Sequence, residues 1–73
     1  MDYRENALHS LYLKAETDRS EALASLSILL DHPAGIGDHS TEDLHKNLNE
    51  SLSRLADAED RLDALDKWFP NED

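Results

Sequence analysis

The sequence predicts an all-α fold, an antiparallel two-helix hairpin that dimerises into a four-helix bundle. Three observations lead there. Apolar residues recur at steps of three, four and seven in two long segments. Both glycines and one of the two prolines fall together between those segments, in His32-Pro33-Ala34-Gly35-Ile36-Gly37-Asp38-His39. And a chain of 73 residues buries little core by itself, so a fold this small usually needs a staple or an oligomer. There is no cysteine to supply the staple.

The first helix is expected over residues 3–31. Leu8, Leu11, Ala15, Ala22, Leu26 and Leu29 make one apolar row, and Tyr12, Leu23 and Leu30 a second beside it. So wide a face suits a helix that touches two neighbours. Asp18 and Arg19 interrupt the face midway, as a weak point or as a polar layer. Pro33 ends the helix, because the residue before proline disfavours helical dihedrals.

Residues 32–40 are expected as the connection and 41–69 as the second helix. Ser40 can cap its start, and the acids Glu42 and Asp43 suit the positive end of the helix dipole. Leu44, Leu48, Leu55, Ala58, Leu62, Leu65 and Phe69 form a heptad-like seam with Leu52 at its edge. Four acid-first i,i+4 pairs, Glu42–Lys46, Glu50–Arg54, Asp57–Arg61 and Asp63–Lys67, use every base of this helix. Each is worth about 0.2–0.5 kcal/mol. Two helices of about 42 Å joined by a short loop pack antiparallel. The expected oligomer interface is Leu8, Leu11, Leu26, Leu29, Leu44, Leu48, Leu55, Leu62, Leu65 and Phe69.

The formal charge is −10, with −4 in residues 1–40 and −6 in residues 41–73. No basic patch exists to displace phosphate counterions, so direct binding to nucleic acid or to an anionic membrane is not expected. A basic protein partner, or mimicry of nucleic acid, is compatible with this charge. The longest apolar run, Ile28-Leu29-Leu30, is far below the roughly 20 residues of a membrane span. The opening Met1-Asp2-Tyr3-Arg4-Glu5-Asn6 lacks the basic start and apolar stretch of a secretory signal. The expected location is therefore the cytoplasm.

The loop Gly35-Ile36-Gly37-Asp38-His39 and the off-seam Trp68 are the candidate partner contacts. Glycines expose amide hydrogens that can meet an anion at a helix start. The plainer reading of the loop is a helix-to-helix turn, since no lysine follows the glycines and no strand precedes them. Tyr3, Trp68 and Phe69 meet at the open end, where aromatics more often plug a small bundle than anchor a partner. His9, His32, His39 and His45 lack the tight spacing of a zinc site, and no metal or cofactor is expected. Glu50, Asp57, Glu59, Asp60, Asp63 and Asp66 form an acidic row whose carboxylates, three or four apart, stand about 5–6 Å from each other. That is near the phosphate spacing along a strand, although Glu50, Asp57 and Asp63 have intrahelical bases. No nucleophile, paired-carboxylate or cofactor-loop arrangement emerges, so the chain reads as non-enzymatic.

The runs Ala22-Leu23-Ala24-Ser25-Leu26-Ser27-Ile28-Leu29-Leu30, His32-Pro33-Ala34-Gly35-Ile36-Gly37-Asp38-His39-Ser40-Thr41 and Leu55-Ala56-Asp57-Ala58-Glu59-Asp60-Arg61-Leu62 carry a resemblance. With them the chain, from Ala22 onward, resembles small uncharacterised proteins of tailed phages that infect marine cyanobacteria. The resemblance implies a compact helical protein made inside an infected cell, and it assigns no functional residues. The expected function is an interaction protein, a homodimer or higher oligomer that binds or modulates a host or phage protein. The alternative is an acidic nucleic-acid mimic that inhibits a DNA- or RNA-binding protein.

Overall fold

A computed structural model describes residues 2–31 and 41–70 of the chain. All of their regular structure is helical. Helix α1 spans Tyr3–Asp31 and helix α2 spans Thr41–Trp68. The expected connection over residues 32–40 lies outside the described residues.

The start of α1 is set by its side chains. The Glu5 amide donates to Asp2 Oδ1 at 2.8 Å, and the Asn6 amide to the Asp2 carbonyl at 3.0 Å. Asp2 is thus an N-cap, satisfying one of the amides a helix start leaves without a partner. Glu5 in the first turn adds a favourable charge. At the far end of α2 the Phe69 amide still donates to the Leu65 carbonyl at 2.9 Å. The helix therefore unwinds just after Trp68, ahead of Pro70.

The helices pack along their length into a rod of 52 × 18 × 15 Å. They run antiparallel. Arg4, in the first turn of α1, lies over the ring of Phe69 beyond the end of α2. At mid-length, Asp18, Glu21, Ala22 and Ser25 of α1 share a groove with Arg54 and Asp57 of α2. Equal steps inward from Arg4 and Phe69 put Ala15 level with Ala58, and Ala22 level with Ser51.

These small residues are where the core sits. Among the described residues, Ala15, Ala22, Ala58 and Leu62 are the buried apolar side chains, and Ser51 is the buried polar one. Each helix follows a seven-residue line with leucine at its ends and small residues at its centre. The lines are Leu8, Ala15, Ala22, Leu29 and Leu44, Ser51, Ala58, Leu65. Small side chains let two helix axes approach toward the near end of the usual 8–10 Å range. The leucines at the ends are half-buried.

Asp18 and Arg19 do not break the seam. They flank it, and each pairs within its own helix: Lys14 Nζ to Asp18 Oδ2 at 3.3 Å, and Arg19 Nη2 to Glu16 Oε2 at 3.9 Å. They form a polar margin beside the alanine line. In α2 the Asp57–Arg61 pair closes at 3.1 Å, while Lys67 lies 5.2 Å from the centroid of the Trp68 ring.

Candidate functional site

Seven-residue bookkeeping sorts the surface of the hairpin into sides. On α1, Asp18 and Ser25 lie on one flank of the alanine line, while Tyr12, Arg19 and Leu26 lie on the other, with Leu23 and Leu30 further round. On α2, Arg54 and Arg61 lie on one flank of the Ser51–Ala58 line, and Leu48, Leu55, Leu62 and Phe69 on the other, with Leu52 further round. The groove of Asp18, Glu21, Ser25, Arg54 and Asp57 shows which flanks share a side. One broad face of the rod therefore carries the polar groove together with Leu11, Ile28 and Trp68, and the opposite face carries the longer row of apolar side chains.

The apolar face is incompletely covered. Tyr12, Leu23, Leu30, Leu52 and Phe69 are five of the ten large apolar side chains exposed among the described residues. Leu26, Leu48 and Leu55, on the same face, are half-buried. A stripe of this kind, running the length of a small protein, is a signature of an interaction surface. Its charges are Glu16 and Arg19, which are paired with each other, and Glu59 and Asp66, one and two heptads after Leu52.

The expected interface residues divide into three sets. Leu8, Leu29, Leu44 and Leu65 sit at the ends of the seam inside the hairpin. Leu26, Leu48, Leu55, Leu62 and Phe69 belong to the apolar face, with Leu62 already buried by the hairpin itself. Leu11 lies on the polar side, with Ile28 and Trp68. Tyr12, Leu23 and Leu30, the second row of the first helix, and Leu52, at the edge of the seam in the second, stand exposed on the apolar face.

The aromatic plug at the open end does not form. Tyr3 is 87% exposed and Trp68 68% exposed, whereas Phe69 is held at the margin beneath Arg4. Trp68 therefore remains an accessible contact residue. The loop contacts Gly35, Ile36, Gly37, Asp38 and His39, along with His32, lie outside the described residues.

Of the acidic row, Asp57 is paired with Arg61. Glu50, Glu59, Asp60, Asp63 and Asp66 stand exposed along α2. Among the described residues, no group of three or more His, Asp or Glu side chains is gathered to hold a metal ion. The grooves are shallow and open, such as the one lined by Lys46, Asn49, Glu50, Ser53 and Arg54. No described helix is long and apolar enough to cross a membrane.

Compared with known proteins, the chain matches no family model, and no curated protein or solved structure is similar to it.

Proposed function

We propose that this chain is a small acidic, non-enzymatic interaction protein that works as a homo-oligomeric helical bundle and binds another protein. The observation that carries this reading is the row of exposed apolar side chains Tyr12, Leu23, Leu30, Leu52 and Phe69 along one side of the rod. Chemistry on a substrate needs a concave, water-excluding site, and a two-helix rod provides poor walls for one. Association needs only a flat face with apolar anchors. With that face closed by self-association, Trp68 and the acids of α2 that lie off it, Glu50, Asp60 and Asp63, point outward toward a target. On the phage resemblance, that target is a protein of the phage or of its host, met in the host cytoplasm.

A second reading, the nucleic-acid mimic, draws on one observation: Glu59, Asp63 and Asp66 recur at steps of four and three, exposed on one side of α2. Affinity capture from host lysate separates the two. The interaction reading expects a discrete protein that added duplex DNA does not displace. Mimicry expects basic nucleic-acid-binding proteins that DNA competes away. Capture no different from that of a chain carrying Trp68→Ala and charge-neutral substitutions along α2 would overturn both.

A further inference from the structure

We draw no further inference here: the strongest candidate, the row of exposed apolar side chains Tyr12, Leu23, Leu30 and Leu52 along one side of the hairpin, also carries Glu59 and Asp66, and nothing in the structure shows what covers it.

Discussion

The guanidinium carbon of Arg4 lies 5.5 Å from the centroid of the Phe69 ring, which ties the first turn of α1 to the residue just past the end of α2. A cation over an aromatic face is attracted by the ring quadrupole, by about 0.5–1 kcal/mol at an exposed site. Its larger consequence is register, since it fixes which residues of the two alanine lines stand level. Arg4 has other interactions as well, so single substitutions do not isolate the pair. A double-mutant cycle with Arg4→Ala and Phe69→Leu should give a coupling of about 0.5–1 kcal/mol in thermal or urea unfolding. Additive effects would place the register elsewhere.

The small residues of the seam make a sharper prediction. Ala15 and Ala58 are 2% and 1% exposed and stand level across the hairpin. Ala15→Leu or Ala58→Leu forces extra methylenes between closely packed helices and should cost about 1–3 kcal/mol. For a domain of this size, each kcal/mol lowers the melting temperature by roughly 4–8 °C. Ala56→Leu, two residues away on the exposed side of α2, should change stability by less than about 0.5 kcal/mol. Equal tolerance at positions 56 and 58 would show that the helices do not touch along the alanine line.

The hairpin was legible because its signals are local and redundant. Pro33, Gly35 and Gly37 punctuate the chain once, and leucines at helical spacing fill both sides of that break. The layers of the hairpin were harder to read. The rows read from sequence already held Ala15, Ala22, Ala58 and Leu62, all of them buried, but not Ser51, the buried polar residue level with Ala22, because a serine does not register in an apolar pattern. Which helix surface faces the other depends on how close the axes come, and that follows from side-chain size rather than hydrophobicity. Asp2 as a cap was also readable, since Asp2-x-x-Glu5 is a capping pattern before an apolar run. Phe69 and Trp68 differ by one residue and thus by about 100° around a helix, which leaves one beneath Arg4 and the other in water.

The end of α1 carries the wrong charge for its dipole. Its last turn has no basic residue, and the helix closes on Asp31 at the negative end. The chain already has an excess of acids. Asp31→Lys should therefore raise stability by about 0.3–1 kcal/mol at low salt, and the gain should shrink as salt screens it. Melting curves at low and high salt check both parts. A loss of stability would show that Asp31 makes a compensating contact beyond the described helix.

Leu62 and Leu52 separate what the hairpin buries from what it leaves exposed. Leu62 is 6% exposed within the hairpin, whereas Leu52, ten residues earlier in the same helix, has no comparable cover from α1. A carboxylate at Leu62 must enter the packed seam without a partner, at a cost of several kcal/mol. Leu62→Asp should unfold the chain at every concentration, as read by loss of helical circular dichroism. Leu55→Asp, at a half-buried position, should fall between the two. Leu52→Asp leaves the hairpin's own contacts in place, so its damage should appear in the concentration dependence of melting. If Leu52→Asp instead abolishes helix as completely as Leu62→Asp does, then folding and assembly are one event. In that case the three alanines and one leucine buried among the described residues are too small a core to stand without the second layer.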